Sequence, residues 1–419
     1  MNPRPRIAVV GAGAAGTMAA IFAATADAEI LLLERTADGG RKILISGGGR
    51  CNVLPIRPAP ERFVTDSSPR LLTRMLRAWP LTEQRRFFEQ DLGVPLSEET
   101  ESGKLFPSSN RARDVRDALL RTARRRGVTV LADTLVTGLE AAEGRWCIER
   151  EGAPPLQADA VVVATGGLSV PRSGSDGRLL PVLARLGHAL HDPYPALTPL
   201  TAPPGSPFAG LAGLSLPVAV TARAPDREAR ASGGFLFTHR GYSGPAVLDV
   251  SHVAVRSKAS PDGARARILV RWSGRGEADW TEALRAGAGR TVASVLRGHL
   301  PDRLAAGLAA AAAVDPATAL SRLRREDRTR LVGVLLGGAL PWNGDEGYEK
   351  AEVTGGGVAL EEVDPATLES RRAPGLFLCG EILDAFGPIG GHNFQWAWST
   401  GRAAGLGAAR RLAPGSGDS

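Results

Sequence analysis

The sequence predicts an α/β protein with a Rossmann-like, two-dinucleotide-binding domain. This domain is discontinuous, being interrupted by an inserted β domain with a small helical subdomain. Three observations predict this fold. A strand–glycine–helix–strand pattern opens the chain at 7–34, an apolar strand ends in Ala-Thr-Gly-Gly at 164–167, and a glycine-rich strand and helix pattern returns near residue 351. Strands that alternate with helices in this way are typical of a parallel sheet.

The first pattern contains the residues that a dinucleotide site needs. Its elements are the strand 7–10, the glycines Gly11, Gly13 and Gly16, the helix 17–26 and the strand 30–33, which ends on Glu34. The first glycine permits a tight turn, the second lets the backbone approach a pyrophosphate, and the third lets the helix pack on the sheet. A carboxylate at the end of the second strand can accept hydrogen bonds from a ribose. A glycine-rich turn without a ligand is the alternative, and the complete order of elements favours the dinucleotide site.

Length and composition indicate an ordinary globular protein. The chain has 419 residues, of which 43% are hydrophobic and 23% are charged, so it can bury a large core in two or three domains. No apolar run reaches membrane-spanning length, and the chain enters its first strand without room for a signal peptide. Three scattered cysteines, at 51, 147 and 379, predict neither a disulfide framework nor a metal site. We expect a cytoplasmic protein with a small-molecule substrate and no membrane partner.

The formal net charge of +7 raises the question of a nucleic-acid partner. Only four of the 51 basic residues are lysine, and the arginines are spread along the chain with acids among them. This composition is typical of a GC-rich genome. We therefore predict that nucleic acid is not a partner.

A glycine-rich loop is predicted directly after Glu34, from residue 35 to residue 53. It contains five glycines, three of them consecutive at 47–49, and such a loop brings backbone N–H groups close to a ligand. Arg41, Lys42 and Arg50 add positive charge beside it. Cys51 is either a reactive thiol or a small buried packing residue, and packing is the favoured interpretation.

Helices and strands alternate between this loop and residue 187. Helical spacing of apolar residues predicts helices at 69–90 and 111–126, and apolar or alternating runs predict strands. The predicted strands lie at 101–107, 128–131, 134–139, 146–150 and 156–163, and a glycine-led helix lies at 174–187.

The residues from 188 to about 341 have a different texture, which predicts an inserted domain. Proline is dense at 193–207, strands are predicted at 217–222, 233–238 and 266–271, and helices are predicted at 280–300, 303–313 and 316–323. An unusual polar turn, FTHRGYSGP, lies at 237–245. His239 or Tyr242 of this turn either faces a substrate or is structural, and the structural role is favoured.

The dinucleotide-binding pattern then returns. A strand and glycine turn are predicted at 351–358, and a buried strand that ends in Gly-Glu is predicted at 375–381. Residues 384–401, DAFGPIGGHNFQWAWSTG, place glycines and Asn393 just before a helix. The free N–H groups at the start of that helix would face a ligand, or the helix is a plain core element. Only residues 414–419 are expected to be disordered.

Eight motifs occur in the order seen in a bacterial FAD-binding flavoprotein family. They are GAGAAG, ISGGGRCNV, SGKLFP, ATGG, FTHRGYSGPA, AEVTGGGV, GLFLCGEILD and GGHNFQWAWSTG. Over nearly its whole length the chain resembles bacterial NAD(P)/FAD-dependent oxidoreductases, which include aminoacetone oxidase-like and bile-acid-reductase-like flavoproteins. The GGHNFQWAW form resembles that of a distinct subfamily.

The resemblance implies an FAD site and assigns residues to it. The ADP part would be held by Gly11, Gly13, Ala14, Ala15, Gly16, Glu34 and Arg35. The pyrophosphate and flavin side would be lined by Lys42, Ser46, Gly47, Gly48, Arg50, Cys51 and Asn52. The adenosine side would be closed by Ala164, Thr165, Gly166 and the backbone of Val136. The ribityl chain would be reached by Gly380, Glu381 and Asp384, and the isoalloxazine by Gly390, Gly391, Asn393 and Phe394.

The resemblance also implies the domain boundaries and two departures from the common pattern. The FAD domain would comprise residues 1–190 and 346–412, the inserted β domain 191–345 with a helical subdomain near 276–330, and the tail 413–419. Many flavoproteins have Asp where this chain has Glu381, and relatives often have Tyr or Phe in place of His392.

The predicted function is that of an FAD-dependent oxidoreductase. It would transfer a hydride between an unidentified small organic substrate and flavin, with NAD(P)H or O₂ as the second partner. No second GxGxxG with a following acid occurs, so a separate pyridine-nucleotide domain is not predicted. His392 and His239 are the candidate acid/base groups, because the pKa of a histidine lies near neutrality.

Two other functions are weaker alternatives. One is an FAD-containing protein that binds or modifies RNA through Arg324, Arg325, Arg328 and Arg330, but acids at 326 and 327 interrupt these arginines. The other is a plain NAD-dependent dehydrogenase, which the long glycine loop and the returning C-terminal pattern argue against.

Overall fold

The computed structural model describes residues 4–25, 27–142, 144–259, 263–285 and 289–413 and divides into two compact units. Unit 1 lies within residues 1–193 and 353–419, and unit 2 comprises residues 194–352. The boundaries between the two units thus lie at 193/194 and 352/353, whereas the boundaries predicted from the sequence lie at 190/191 and 345/346. The predicted disordered tail at 414–419 lies outside the described residues.

Unit 1 contains both ends of the chain. Its elements before the interruption are β1 (Arg6–Val10), α1 (Ala14–Ala23), β2 (Glu29–Leu33), α2 (Arg41–Ile45), β3 (Leu54–Pro55), α3 (Pro69–Arg77), α4 (Leu81–Arg86), β4 (Leu96–Glu99), β5 (Lys104–Pro107), α5 (Ala112–Arg125), β6 (Thr129–Leu131), β7 (Val136–Ala142), β8 (Arg145–Arg150), β9 (Ala153–Ala158), β10 (Ala160–Val163), α6 (Leu180–Arg185) and β11 (Leu190–Ala196), which runs into unit 2. After the interruption come β19 (Val353–Val358), β20 (Leu376–Leu378) and α13 (His392–Arg411).

A five-stranded parallel sheet in the order β20-β10-β1-β2-β6 forms the centre of unit 1. Its strands are runs of Val, Ile, Leu and Ala because both faces are covered, and no residue of 7–10 is more than 4% exposed. Ile7 pairs in register with Ala160 on one side and Ile30 on the other. The α/β prediction is confirmed. Since the strands are parallel, their carboxyl ends lie at one edge, where open sheets of this kind bind ligands. We call the loops after β1, β2, β10 and β20 the carboxyl edge.

The first and last helices of unit 1 pack with their backbones in contact. A β-carbon on Gly401 of α13 would lie 2.3 Å from the carbonyl oxygen of Ala15, and one on Gly405 would lie 2.2 Å from that of Ala19. Only glycine leaves enough room for this approach. These contacts join the two chain segments of unit 1.

Unit 2 is built on a seven-stranded antiparallel sheet in the order β17-β16-β13-β14-β15-β12-β18. Its elements are β12 (Leu200–Thr201), β13 (Ser215–Arg223), β14 (Glu228–Phe237), β15 (Gly241–Ser243), α7 (Pro245–Leu248), α8 (Ser251–Ser257), β16 (Arg267–Arg271), α9 (Glu277–Ala283), α10 (Val292–Arg297), α11 (Asp302–Ala311), α12 (Arg325–Gly337), β17 (Gly338–Ala339) and β18 (Gly344–Asp345). One face of the sheet buries an aromatic cluster in which Phe237 stacks on Trp272. Tyr242 is 1% exposed and belongs to this cluster, which is a structural role.

Several predicted elements differ from the observed ones. The helix predicted at 69–90 is divided, since α3 ends at Arg77 and α4 begins after Pro80, whose ring cannot continue a helix. The helix predicted at 280–300 overlaps the end of α9 and contains α10, and Thr291 caps the start of α10. The stretch 316–323 forms only a 3-10 turn at Leu320–Arg322. The loop predicted at 35–53 contains α2 and a 3-10 turn at Ser46–Gly49.

Candidate cofactor site and active site

The loop after β1 leaves an open surface at the start of α1. Gly11 has a φ of +102°, and a β-carbon there would lie 2.6 Å from the carbonyl oxygen of Ala164, so the loops after β1 and β10 are in contact. Gly13 is the N-cap of α1, makes no side-chain cap, and a β-carbon on it would meet no atom within 4 Å. The free N–H groups of the first turn, which includes Ala14 and Ala15, therefore border open space. A pyrophosphate would be stabilised there.

Glu34 links the loops after β1 and β2. Its side chain is buried, with Oε2 accepting a hydrogen bond from the Ala12 N–H at 2.8 Å. Oε1 accepts from both the N–H and the hydroxyl of Thr36, at 2.8 and 2.7 Å. Because a carboxylate oxygen can accept two hydrogen bonds, Oε2 retains one position for a ribose hydroxyl.

Lys42 and Glu381 form an ion pair at the carboxyl edge. Lys42 Nζ lies 2.8 Å from Glu381 Oε2 and 2.7 Å from Ser169 Oγ. Glu381 Oε1 accepts hydrogen bonds from Ser169 Oγ at 2.7 Å and from the Thr354 N–H at 3.0 Å. Burial raises the pKa of the Glu381 carboxyl, but the charge and hydrogen bond of Lys42, with the hydrogen bonds of Ser169 and Thr354, outweigh burial, and the pKa is lowered. Lys42, which was assigned to the pyrophosphate, and Glu381, which was assigned to the ribityl chain, thus form an ion pair with each other.

The glycine loop after α2 presents backbone rather than side chains. Gly47 and Gly48 are exposed, while Ser46 Oγ donates to the Ile43 carbonyl oxygen at 2.7 Å. Arg50 pairs with Glu99 at 3.0 Å, and its guanidinium lies 3.7 Å from the centre of the Phe106 ring. The positive charge of Arg50 is therefore partly neutralised within the protein.

The two residues after Arg50 have different surroundings. Cys51 is completely buried, and burial raises the pKa of its thiol to about 12, so it is a packing residue and not a reactive thiol. Asn52 is 9% exposed, and its Oδ1 is buried without a hydrogen-bond partner.

The residues assigned to the adenosine side lie after β10 and at the start of β7. Thr165 Oγ1 is buried without a hydrogen-bond partner among the described residues. Gly166 has a φ of +73°, and a β-carbon on it would lie 2.6 Å from Ser175 Oγ. Val136 begins β7 and is 4% exposed. Arg35 is paired with Asp176 at 2.6 Å.

Asp384 holds a turn of the protein. Its side chain is 1% exposed, and its Oδ2 accepts hydrogen bonds from the Thr65 hydroxyl, the N–H groups of Asp66 and Ser67, and the Ser67 hydroxyl, all within 2.9 Å. These hydrogen bonds place the carboxylate in the protein interior, and its assignment to the ribityl chain stays a prediction. Gly380, in the same loop, has a φ of +78° and lies against the Ala15 methyl group.

The start of α13 leaves its first N–H groups without side-chain caps. Gly391 is the N-cap, and a β-carbon on it would lie 2.6 Å from the Leu54 carbonyl carbon. Asn393 holds the preceding turn, because its Oδ1 accepts from the Gly387 N–H and its Nδ2 donates to the Gly387 carbonyl oxygen. Phe394 stacks on Trp398 at 5.2 Å between ring centroids. Half-exposed Gly390 completes this turn.

His392 is a buried neutral imidazole. It is 5% exposed, and its ring meets the Phe63 ring edge to face at 5.9 Å. Burial, together with the charge of Arg62, lowers the pKa of His392 to about 4. The pKa of His392 is thus below the value near neutrality on which its acid/base role was predicted, and that role stays a prediction. Its Nδ1 has no hydrogen-bond partner.

The second candidate base lies in unit 2. His239 is an exposed residue in the turn between β14 and β15, where the Thr238 hydroxyl accepts hydrogen bonds from the N–H groups of Arg240 and Gly241. No described residue forms a hydrogen bond with the His239 side chain. The arginines proposed for RNA are partly structural, since Arg330 pairs with Asp327 and donates to the carbonyl oxygen of Ala312.

Four polar atoms test whether the residues present fit FAD. The buried atoms without a partner in unit 1 include Asn52 Oδ1, Thr165 Oγ1, His392 Nδ1 and Gln395 Oε1. They lie in the glycine loop, after β10 and in the first turn of α13. A buried polar group without a partner is costly, so these atoms call for a polar ligand. Together with the open surface at Gly13, they fit a dinucleotide cofactor. Gln395 was not among the residues predicted to line the site. Its position as a polar residue among aromatic residues of a predicted helix could have indicated it.

No helix in the described part of the chain is both long and apolar enough to cross a membrane.

Comparison with known proteins gives a consistent result. A model of the HI0933-like protein Rossmann domain matches residues 5–407. The chain is 33% identical over 418 residues to the 3-dehydro-bile acid delta(4,6)-reductase of Clostridium scindens, covering 97% of this chain and 99% of the relative. It is 31% identical over 401 residues to the ribosomal RNA dihydrouridine synthase of Escherichia coli K12, covering 94% and 95%.

Two solved structures share the fold. They are the 3-ketosteroid-delta4-(5alpha)-dehydrogenase of Rhodococcus jostii RHA1, at 17% identity and a TM-score of 0.50, and the 3-ketosteroid delta1-dehydrogenase of Sterolibacterium denitrificans, at 13% identity and a TM-score of 0.51. The first covers 97% of this chain and 100% of its own, and the second 96% and 99%.

Proposed function

The chain belongs to the HI0933-like family of Rossmann-domain, FAD-dependent oxidoreductases, and we propose that it transfers a hydride to a carbon–carbon double bond conjugated to a carbonyl group. The proposed enzyme would therefore reduce an enone, or a ring in which a carbon–carbon double bond is conjugated to a ring carbonyl group. The conjugated carbonyl group of the substrate makes the far carbon of the double bond electron-poor, and that carbon would accept the hydride.

The proposal rests on the reactions that the names of two relatives describe, both of which match nearly the whole chain. One is named as a delta(4,6)-reductase of a 3-dehydro-bile acid, and the other as a dihydrouridine synthase. In the first of these names, 3-dehydro denotes a ketone at C3 and delta(4,6) denotes double bonds at C4 and C6, which are conjugated with that ketone. Dihydrouridine is uridine whose double bond beside a ring carbonyl has been saturated. Both names therefore describe the addition of hydrogen to the same kind of bond, although the two molecules differ greatly in size.

The residues of this chain would hold the cofactor as follows. The start of α1 at Gly13 would bind the pyrophosphate, and Glu34 would accept a hydrogen bond from the ribose. Asn52 and Thr165 would direct their unpaired oxygen atoms at cofactor hydroxyl or N–H groups. When bound, FAD supplies the hydride chemistry. The unpaired N–H groups at the start of α13 would stabilise negative charge beside them.

His392 would act as a neutral hydrogen-bonding residue. Its Nδ1 has no partner within the protein, and its low pKa keeps the ring uncharged at neutral pH. A neutral imidazole can orient a carbonyl group or a flavin edge without introducing charge. We propose this role for His392 and assign no acid/base role to His239.

Product analysis tests the proposal. FAD-loaded protein is incubated without oxygen with NADH or NADPH and with a cyclic enone, a 4-en-3-one steroid or a uridine-containing RNA oligonucleotide. We expect at least one of these three to gain two hydrogen atoms, detected by mass spectrometry, while the matching saturated ketone does not react. The nicotinamide that supports product formation is the electron donor. If none of the three gains hydrogen although the flavin is reduced, the proposal is wrong.

A further inference from the structure

One face of the unit 2 sheet is open to solvent and strongly basic. Strands β16, β13 and β14 are neighbours in this sheet, and their side chains alternate between the two faces. Val218, Val220 and Ala222 of β13 point to the buried face and are at most 6% exposed. The intervening residues of the three strands point to the other face, which we call the outer face. It is formed by Pro217, Ala219, Thr221, Arg223, Glu228, Arg230, Ser232, Gly234, Leu236, Arg267, Leu269 and Arg271.

The register arranges these residues in rows across the strands. Arg223 pairs with Arg267 on one side and Glu228 on the other. Ala219 pairs with Arg271 and Ser232 in a parallel row. Because a strand rises about 3.4 Å per residue, these two rows lie roughly 14 Å apart. Arginines therefore occur in two separate rows of the outer face, not at one point.

The positive charges of the outer face exceed its negative charge. Glu228 is its one acid and pairs with both Arg223 and Arg230. The Arg267 side chain has no hydrogen bond or ion pair with any described residue. The Arg271 guanidinium donates to the carbonyl oxygen of Arg275, at 2.9 Å. Within the described ranges, these two guanidinium groups of the exposed face thus have no carboxylate partner.

Short side chains lie on the part of the outer face that begins beside the row of Arg230, Thr221 and Leu269. Ala219, Ser232 and Gly234 lie on neighbouring positions of β13 and β14, and Thr221 lies beside them. Short side chains let a long polymer lie across the strands while the arginines reach its charged groups. A small anion would need only one arginine, whereas charges spread over more than ten ångströms match a polymer with regularly spaced negative charges.

We propose that the outer face of unit 2 binds the phosphate backbone of RNA. Guanidinium groups bind phosphate oxygens through paired hydrogen bonds, and this contact supplies most of the sequence-independent affinity for nucleic acid. The inference deepens the proposed function and rests on it, because uracil in RNA contains the double bond that the enzyme would reduce. It runs against the expectation that nucleic acid is not a partner, which the name of the Escherichia coli relative weakens.

Binding of RNA to the FAD-loaded protein, without turnover, tests this inference. A fluorescein-labelled, uridine-rich RNA is titrated at several salt concentrations. It is longer than about 16 nucleotides, the upper limit of the site size of one single-strand-binding domain. The variant R267Q/R271Q removes the two arginines without a carboxylate partner. The matched control is R121Q/R124Q, which removes the same charge from exposed positions on α5.

We expect R267Q/R271Q to weaken RNA binding about tenfold at low salt and to lower the slope of log K against log salt by about 1.4, which is the loss of two phosphate contacts. The control should change affinity less than twofold. Equal losses in both variants would show a non-specific charge effect and overturn the inference. Binding of polyglutamate to the wild type without binding of RNA would also overturn it, since the face would then recognise an acidic protein.

The outcome is separable from that of the proposed function. If RNA does not bind but an enone is still reduced, only the docking inference fails. If RNA binds through Arg267 and Arg271 but no double bond is reduced, the docking inference stands and the proposed function fails.

Discussion

Lys42 and Glu381 are joined by an ion pair of 2.8 Å although they lie in different segments of the interrupted unit. Lys42 is on α2, after β2, and Glu381 follows β20. Ser169, from the loop after β10, hydrogen-bonds to both. The three residues therefore connect three loops of the carboxyl edge, at the place where the cofactor is proposed to bind.

The pair should contribute to stability as a unit. In K42M the Glu381 carboxylate loses its cation, and in E381Q the Lys42 ammonium loses its anion, so each change should lower the free energy of unfolding by about 1–3 kcal/mol. The double variant should cost less than the sum of the two, by about 1 kcal/mol. Urea unfolding of the FAD-free protein measures all three. Strict additivity would mean that the two charges do not interact.

A substitution at Gly13 should weaken cofactor binding without impairing folding. The Gly13 φ of −76° is available to any residue, and a β-carbon would enter open space. Gly13→Val should therefore leave the unfolding midpoint of the FAD-free protein nearly unchanged. It should weaken FAD binding at least tenfold, because the side chain would occupy the place of the pyrophosphate. Fluorescence titration with FAD measures this effect. Unchanged FAD affinity would remove the cofactor from the start of α1.

His392 should make stability depend on pH. The pKa of its imidazole is about 4 in the folded protein and 6.5 in the reference state. Between these values the unfolded chain binds more protons, so stability falls as the pH is lowered from 7 to 4, by on the order of 3 kcal/mol. In H392Q this part of the pH dependence should be absent. Urea unfolding of both proteins at a series of pH values measures this difference. If the free energy of unfolding has the same pH dependence in the wild type and in H392Q, the burial of a neutral imidazole is contradicted.

The contact between α1 and α13 should tolerate no side chain. Gly405→Ala places a methyl group against the Ala19 carbonyl oxygen and should cost about 1–3 kcal/mol or more. Gly333 is the matched control, because it is exposed in the middle of α12 and a β-carbon there meets nothing within 4 Å. Gly333→Ala should stabilise the protein by up to about 1 kcal/mol. Thermal unfolding compares the two, and equal effects would contradict the close packing of the helices.

The sequence predicted the parts of the site that local patterns determine. The strand predicted at 7–10 and the helix predicted at 17–26 overlap β1 and α1, although α1 begins earlier, at Ala14, and ends at Ala23. The acid Glu34 follows from its place at the end of β2. The pairing of Lys42 with Glu381 could not be predicted, because it joins residues that are neighbours only in the folded sheet. Asp384 and Asn393 lie in the predicted loops, but they satisfy backbone N–H groups of nearby turns, and sequence does not distinguish such a role from ligand binding.

Two further features were present in the sequence without being recognised. Gly401 and Gly405 are four residues apart, so they lie on one face of α13. That spacing could have predicted the close approach of a second helix. The alternation of arginine with small residues in β13, β14 and β16 indicates an exposed sheet face, but the pairing of the strands was needed to place the arginines on the same side.

Reoxidation of the reduced flavoprotein by an enone tests the central claim most directly. Purified protein with bound FAD is reduced without oxygen by one equivalent of dithionite, and its visible flavin bands are followed after a cyclic enone or a 4-en-3-one steroid is added. We predict that the oxidised flavin spectrum returns, with one saturated product formed per flavin, and that the saturated ketone has no effect. A flavin that stays reduced with every such substrate, uridine-containing RNA included, but is reoxidised on admission of air, would contradict hydride transfer to a conjugated double bond.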